Sequence, residues 1–210
     1  MNAGDVYGDL VIVEDRGWDK VLVRFIATGY ERVTRRDHIK NGNIKDNLKP
    51  VVCNVGFIGD GKYSCAKHMK TYKRWSHMLS RCYLSSDKEY SRYGARGVVV
   101  APVWHNFQNF AKWVEQQCVP DDYQLDKDIK VKGNLVYSPD VCLLVSPQQN
   151  AEAANAKAAS FICPEGNIYH TDNMSKFARE HNLNAGKLSN LYTKKAKTHK
   201  GWRLYEDHGL

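Results

Sequence analysis

The stretch YQLDKDIKVKGNLVYSPDVCLLVSPQQN, residues 123–150, carries the signals of two strands, a turn and a helix start. YQLD is predicted to form a strand that ends at Asp126, VKGNLV a turn and return, and SPDVCLLVSPQQN an extended piece that enters a helix near Asn150. Such a ββα unit can bring the Asp126 carboxylate and the Asn150 amide together. Two oxygen ligands suit a hard divalent cation when phosphate and water supply the others.

The composition predicts a folded protein with one large domain or two to three small ones. The chain has 210 residues, of which 42% are hydrophobic. Its six cysteines are scattered singly, which favours reduced, mostly buried thiols over a zinc site or disulfides. No apolar run is long enough to cross a bilayer, and the first residues lack a signal-peptide pattern. We therefore expect a cytoplasmic protein, in the host cell if it is phage-encoded, with no membrane partner.

The net charge of +8 is unevenly distributed along the chain. Residues 62–118 carry ten basic and three acidic side chains, residues 119–159 four and six, and residues 160–210 eight and five. An acidic segment thus lies between two basic ones. This order favours a polyanion held by the basic flanks over a carboxylate site, although a basic surface that serves only solubility is the plain alternative.

The pattern of elements predicts an α+β protein with three domains. Residues 1–62 indicate a small N-terminal antiparallel β domain, residues 63–158 a central domain with helices and the ββα unit, and residues 159–210 a β-hairpin followed by a helix-turn-helix. The glycine-rich connector NVGFIGDGKYS, residues 54–64, lacks the Gly-Lys-Ser/Thr ending of a phosphate loop. We expect it to be a linker and expect no nucleotide cofactor.

Basic residues next to predicted helices are candidates for contact with double-stranded DNA. TYKRWSHMLSRCYL, residues 71–84, is an amphipathic basic helix that includes Arg74, and the turn YSRYGARG carries Arg92 and Arg96. Near the C terminus, two short helices joined by a tight turn fit a helix-turn-helix reader. The candidate contacts on its second helix are Asn184, Lys187, Ser189, Asn190, Lys194 and Lys195.

Three segments together resemble a known family of nucleases. TYKRWSHMLSRCYL, YSRYGARGVVVAPVWHNFQNFAKWV and YQLDKDIKVKGNLVYSPDVCLLVSPQQN are similar to the HNH-type nucleases of bacteriophages, in a variant with Leu-Asp-Arg/Lys in place of the usual Asp-His pair. The C-terminal segment from Phe161 to Tyr205 resembles the modular helix-turn-helix of phage homing endonucleases. The resemblance covers roughly residues 63–206 and implies a ββα-metal (HNH-like) DNA endonuclease.

The resemblance also implies roles for residues of the opening stretch. It makes Asp126 and Asn150 the ligands of one Mg²⁺ or Mn²⁺, and it places the general-base histidine of the family on Lys127. The asparagine that orients this histidine falls near Asp140 or Val141. A lysine with an ordinary pKa is cationic and cannot accept a proton from water. Lys127 would therefore need a pKa lowered by burial, or it would act as a phosphate clamp.

Two other residues are candidates for the general base, namely Asp128 and His105. Together with Arg92 and Arg96, Lys127 and Lys130 would hold phosphates at the cut. We expect a monomer or weak dimer that nicks one strand per site, because a single ββα-metal site usually cuts one strand. The alternatives are a DNA-binding or regulatory protein on a degenerate nuclease scaffold, which Lys127 favours, and a module that binds single-stranded RNA through the aromatic-rich middle.

Overall fold

The computed structural model of the chain describes residues 1–154 and 156–206. Four antiparallel strands in sequential order form the first sheet: β1 (Val6–Tyr7), β2 (Leu10–Asp15), β3 (Lys20–Phe25) and β4 (Glu31–Arg35). Alternate side chains of these strands point to one face, where Ile12, Val21 and Val23 are at most 1% exposed. The short helix α1 (Arg36–Lys40) follows directly and adds Ile39 to this core.

Two amphipathic helices form an aromatic core in the middle of the chain. These are α2 (Met69–Tyr83) and α3 (Phe107–Gln116). Trp75 of α2 packs on Phe107 of α3 with ring centroids 5.4 Å apart, and its indole N–H donates to the Trp104 carbonyl at 2.7 Å. Trp75, Trp104 and Phe107 are at most 1% exposed, so they stabilise the fold rather than present rings to a nucleic acid.

The glycine-rich connector packs closely on the start of α3. A side chain at Gly59, where φ is +72°, or at Gly61 would collide with the side chains of Asn106 and Gln108. The backbone of Phe57 makes two hydrogen bonds to the same helix start. Its N–H donates to the His105 carbonyl, and its carbonyl accepts from the Phe107 N–H. The glycines are therefore required for close packing, and the segment is an ordered part of the core rather than a simple linker.

The opening stretch forms strands whose pairing differs from the predicted hairpin. The structure contains β5 (Val99–Val100), β6 (Gln124–Asp126), β7 (Val136–Tyr137) and β8 (Leu143–Val145). β7 does not return along β6. It pairs in parallel with β5, and β6 pairs in antiparallel fashion with β8. The helix α4 (Pro147–Ala154) follows β8, so a ββα order is present but is built from β6, β8 and α4.

The C-terminal segment forms a three-stranded antiparallel sheet and two helices. β9 (Ala159–Ile162) pairs with β10 (Ile168–Thr171) as the predicted hairpin, and α5 (Met174–Glu180) and α6 (Ala185–Tyr192) follow. A third strand, β11 (Arg203–Leu204), pairs with the other edge of β9 and was not predicted. The helices and sheet enclose a separate core around Phe161, Phe177 and Trp202.

The described chain divides into two compact units. Unit 1 comprises Met1–Val119 and Lys130–Cys142, and unit 2 comprises Pro120–Ile129 and Leu143–Leu210; Asn155 and residues 207–210 lie outside the described residues. The predicted central range, residues 63–158, thus contributes to both units. The predicted α+β class is confirmed, whereas the independence of the three predicted domains stays a prediction.

Candidate functional site

Helix α4 begins after β8 because the sequence Ser-Pro-Gln-Gln satisfies the free groups of a helix start. The backbone N–H of Gln149 donates to the Ser146 hydroxyl at 3.1 Å, and the Gln149 side chain accepts from the Ser146 N–H at 3.0 Å. This reciprocal pair is a capping box, and Pro147 occupies the first helical position, where no N–H is needed. The cap fixes the register of α4 and so the position of Asn150.

The Asp126 carboxylate is fixed by backbone groups of the turn that follows β6. Its Oδ1 accepts from the N–H of Asp128 at 2.8 Å and from the N–H of Ile129 at 2.7 Å. Its Oδ2 makes no hydrogen bond to any residue that the structure describes. The side chain is half-buried, so one carboxylate oxygen closes the turn and the other remains able to bind a ligand.

The Asn150 side chain reaches β6, but its hydrogen-bond partner is Gln124 rather than Asp126. The Asn150 Nδ2 donates to the Gln124 Oε1 at 2.6 Å. Because Gln124 and Asp126 are two residues apart on one strand, their side chains lie on the same face, opposite the buried Leu125. The Asn150 amide is therefore brought to the face of β6 that carries Asp126, and its carbonyl oxygen has no partner among the described residues.

Gln124 is a functional candidate that the sequence analysis missed. Its signal is its position two residues before Asp126 in an alternating strand, which places both side chains on one face. The Gln124–Asn150 contact depends on the packing of α4 on β6, and no local pattern predicts that packing.

The oxygen donors on this face are of the type that a hard divalent cation prefers. Among residues 1–154 and 156–206, no group of three or more His, Cys, Asp or Glu side chains is arranged to hold a metal. A site here would use one carboxylate oxygen of Asp126 and the amide oxygen of Asn150, with phosphate oxygens and water as further ligands. Mg²⁺ commonly binds proteins through one or two carboxylates with substrate phosphates and water, so the donor set suits Mg²⁺ or Mn²⁺.

Lys127 is buried and ion-paired next to Asp126. Its side chain is 8% exposed, and its Nζ donates to both oxygens of Asp128, at 2.7 and 2.9 Å. Asp128 is 49% exposed, so its carboxylate faces solvent while holding the lysine. An ammonium group that donates to a carboxylate has no lone pair for a proton, and a buried one is poorly placed for a DNA backbone.

His105 lies in unit 1, whereas Asp126, Lys127, Asp128 and Asn150 lie in unit 2. The His105 Nε2 is 3.1 Å from the Val100 carbonyl and 3.4 Å from the Tyr83 hydroxyl. The same hydroxyl accepts from the Val100 N–H at 2.8 Å. This network joins α2, β5 and the turn before α3, so His105 has a structural role there.

The candidate phosphate contacts of unit 1 differ in their surroundings. Arg92 is 75% exposed and forms a surface ion pair with Glu89 at 3.2 Å, and Arg96 is exposed on the neighbouring turn. Arg74 is half-buried on α2. The Lys130 Nζ donates to the Asp140 carbonyl at 2.6 Å. Surface ion pairs are weak, so Arg92 and Arg96 remain available to a phosphate.

The candidate contacts of the predicted helix-turn-helix fall into two groups. Asn184 is the N-cap of α6 and accepts from the Lys187 N–H at 3.0 Å, while Ser189 and Asn190 are half-buried in the helix. The lysines Lys187, Lys194 and Lys195 are exposed. The last two follow the C-terminal end of α6, and the Lys194 Nζ binds Glu206 at 2.7 Å. The exposed lysines can thus meet a polyanion, Lys194 by exchanging its ion pair with Glu206.

An ion pair connects helix α4 to the C-terminal module, which consists of the three-stranded sheet β9–β11 and the helices α5 and α6. The Arg179 guanidinium on α5 donates to both Glu152 oxygens, at 2.8 and 2.9 Å. These hydrogen bonds, with a further one from Gln148, hold the pKa of Glu152 below its ordinary value. The helix that carries Asn150 is therefore anchored to α5.

No protein-family model, curated protein sequence or solved structure matches this chain. Within the part of the chain that the structure describes, no helix is long and apolar enough to span a bilayer.

Proposed function

We propose that this protein is a metal-dependent DNA endonuclease of the HNH-like ββα type, which hydrolyses a phosphodiester bond. The observation that carries the proposal is the arrangement on β6. Asp126 is anchored through one carboxylate oxygen, the other has no hydrogen bond within the described part of the chain, and the Asn150 amide is held on the same strand face by Gln124. This face offers two hard oxygen donors.

In this proposal, Asp126 and Asn150 hold one Mg²⁺ or Mn²⁺. The bound ion supplies positive charge that stabilises the phosphate and the leaving oxygen. Asp128 is the best-supported general base, because its exposed carboxylate lies two residues from Asp126 and can accept a proton. Lys127 keeps that carboxylate in place through their ion pair.

Duplex DNA is the proposed substrate because the acidic site lies between two basic segments of the chain. The exposed arginines of unit 1 and the exposed lysines after α6 would contact the backbone. One metal site per chain favours nicking by a monomer or weak dimer.

A second candidate function is DNA binding without cleavage. Lys127, at the position where the resemblance puts the general base, is buried and ion-paired, and the Asn150 amide already has a protein partner. These two contacts favour a protein that keeps the nuclease scaffold but no longer cleaves DNA. In that case duplex DNA would bind equally well with and without divalent metal.

Nicking of supercoiled plasmid in Mg²⁺ or Mn²⁺ distinguishes the two functions. The informative variant is Asp126→Asn, because an amide oxygen can still accept from the Asp128 and Ile129 N–H groups while the charge is removed. We expect nicking to slow by at least about 100-fold, since the loss of a metal ligand removes several kcal/mol of transition-state stabilisation. Binding to DNA should persist.

The matched control is Asp122→Asn, which removes an exposed carboxylate just before β6 and should nick like wild type. Absence of cleavage by wild type with either metal would leave the binding function standing. Equal nicking by Asp126→Asn and wild type would contradict the role of Asp126.

A further inference from the structure

Arg81 occupies an unusual position in the last turn of α2. The side chain is half-buried, and its guanidinium carbon lies 4.8 Å from the Tyr93 ring centroid and 4.9 Å from that of Tyr137. The two rings are 6.3 Å apart and nearly parallel, at 28°. The guanidinium is thus held against a pair of aromatic rings, all within unit 1.

The hydrogen-bonding groups of Arg81 have no acceptor in the described chain. Its Nε is buried without a partner, and neither the ion pairs nor the hydrogen bonds of residues 1–154 and 156–206 involve its guanidinium. Buried donors in folded proteins are nearly always paired. The buried Nε cannot reach a ligand, but the half-buried guanidinium also has two terminal nitrogens, whose four N–H groups have no acceptor among the described residues and can donate to an oxygen from outside the chain.

The surroundings of Arg81 favour an anion. Tyr137 is 1% exposed, and burial raises its pKa, so the ring next to the guanidinium stays uncharged at neutral pH. The carboxylate of Asp87 is engaged by the Ser80 hydroxyl and the Glu89 N–H rather than by Arg81. Arg81 therefore acts on Asp87 through its charge and not through a hydrogen bond, and its N–H donors are not used by this carboxylate.

The turn that carries Tyr93 adds further positive charge. Arg92 and Arg96 are exposed on either side of Tyr93. Gly94 lets this turn pack directly on the end of α2, because a side chain there would collide with the Cys82 carbonyl and the Tyr90 ring. The close packing sets the position of Tyr93 relative to Arg81.

We propose that Arg81 is a phosphate clamp, whose guanidinium binds oxygens of the duplex DNA backbone while Tyr93 and Tyr137 hold its orientation. A planar guanidinium donates two parallel hydrogen bonds to a phosphate, which a lysine cannot reproduce. The choice of duplex DNA as ligand rests on the proposed function. The clamp itself lies in unit 1 and needs no divalent metal.

The test is binding of a short duplex in EDTA, so that cleavage plays no part. Arg81→Met keeps the length of the side chain but removes the charge and the donors. We expect the affinity to fall by about tenfold and the slope of log K against log salt to become shallower by about one, because one phosphate contact is lost. Arg81→Lys should keep the slope and still lose affinity, since the charge remains without the planar fork.

The matched control is Arg24→Met, which removes an exposed arginine that Glu31 already pairs at 2.6 Å; its affinity and slope should equal those of wild type. Circular dichroism establishes that each variant is folded. If Arg81→Met is unfolded, the affinity of Arg81→Lys for the duplex is the test, and the proposal requires it to be lower than that of wild type. A folded Arg81 variant with wild-type affinity and slope would overturn the proposal and leave Arg81 a packing residue.

Inorganic phosphate provides a second arm that does not depend on DNA. Phosphate should raise the thermal midpoint of wild type and of Arg24→Met but not of Arg81→Met. Wild type that binds duplex and shows the Arg81 effect but never cuts would uphold the clamp and defeat the endonuclease proposal. Wild type that binds neither duplex nor phosphate would overturn the clamp.

Discussion

At the scale of single residues, Lys127 and Asp128 show how two adjacent side chains divide between interior and solvent. Lys127 is 8% exposed and Asp128 is 49% exposed, and their ion pair spans that boundary. The loss of Asp128 should therefore change the stability of the protein by a different amount from the loss of Lys127. A solvated carboxylate tolerates the loss of its partner, whereas a buried ammonium depends on nearby acceptors.

We therefore expect Asp128→Asn to destabilise the protein more than Lys127→Met does. Asp128→Asn removes the negative charge that pairs with the buried Lys127 ammonium. It should lower the free energy of unfolding by about 1–3 kcal/mol. Lys127→Met replaces the lysine by an apolar side chain of similar length and should change it by less than about 1 kcal/mol. Denaturant unfolding of the two variants measures both values, and the reverse order would contradict this account of the pair.

The end of β6 shows what the sequence could establish about the candidate site. The strand ends at Asp126 as predicted, because an alternating apolar pattern and the following turn residues are local signals. The hydrogen bond of Asn150 to Gln124 was not predictable, since it depends on how closely α4 packs on β6. The sequence left open whether Lys127 is buried or is an exposed phosphate clamp, because lysine is rarely buried and no local pattern marks the exception; the structure shows it buried.

At the scale of elements, helices were more predictable than strand partners. The three- and four-residue spacing of Tyr72, Trp75, Met78, Leu79 and Cys82 predicts the inner face of an amphipathic helix, and in α2 all of them are buried except Tyr72, which is half-buried. The parallel pairing of β5 with β7 and the antiparallel pairing of β6 with β8 join residues far apart in sequence. Strands of two or three residues carry too few side chains to specify such partners.

The ion pair between α4 and α5 predicts acid sensitivity. The folded protein lowers the pKa of Glu152, so it binds a proton less readily there than the unfolded chain does. The stabilisation is fully present above the ordinary value of 4.5 and is lost as the pH falls through the lowered folded value. Glu152→Gln should remove this contribution.

Thermal unfolding from neutral pH down to about pH 3 tests the ion pair. The midpoint of wild type should fall more steeply below the ordinary pKa than that of Glu152→Gln, so that the two converge in acid. Glu180→Gln is the control, because the ion pair that Glu180 makes with Lys176, at 3.9 Å, is exposed. Parallel curves for wild type and Glu152→Gln would show that the pair contributes nothing to stability.

At the scale of the whole molecule, the chain passes repeatedly between the two units. Residues 120–129 belong to unit 2, residues 130–142 return to unit 1, and Leu143 begins unit 2 again. Dividing the polypeptide into two fragments within residues 120–142 would therefore separate β6 from β8 or β7 from β5. The C-terminal module differs, because its core residues all fall between Phe161 and Trp202.

We expect a fragment of residues 157–210 to fold by itself. Its three strands and two helices enclose Phe161, Phe177, Leu188 and Leu191, each at most 4% exposed, but a chain this short should have a stability of only about 3–5 kcal/mol. Trp202, its single tryptophan, packs edge-on against Phe177 at 5.3 Å. Its fluorescence should therefore be blue-shifted in the fragment and red-shifted in denaturant.

The Phe177→Ala variant serves as the control for the fragment. Removal of this buried ring should lower stability by about 3–5 kcal/mol and unfold the fragment. An unmodified fragment with the emission of a solvent-exposed tryptophan would show that the module requires the rest of unit 2.

The central claim is that Asp126 and Asn150 bind one divalent ion against a DNA phosphate. It is tested most directly by Mn²⁺ titration, followed by electron paramagnetic resonance, in the presence of a phosphorothioate duplex that resists cleavage. The account predicts one Mn²⁺ per wild-type chain beyond that bound by DNA alone, lost in Asp126→Asn and weakened in Asn150→Ala. Equal Mn²⁺ binding by wild type and Asp126→Asn, with duplex bound in both, would contradict it.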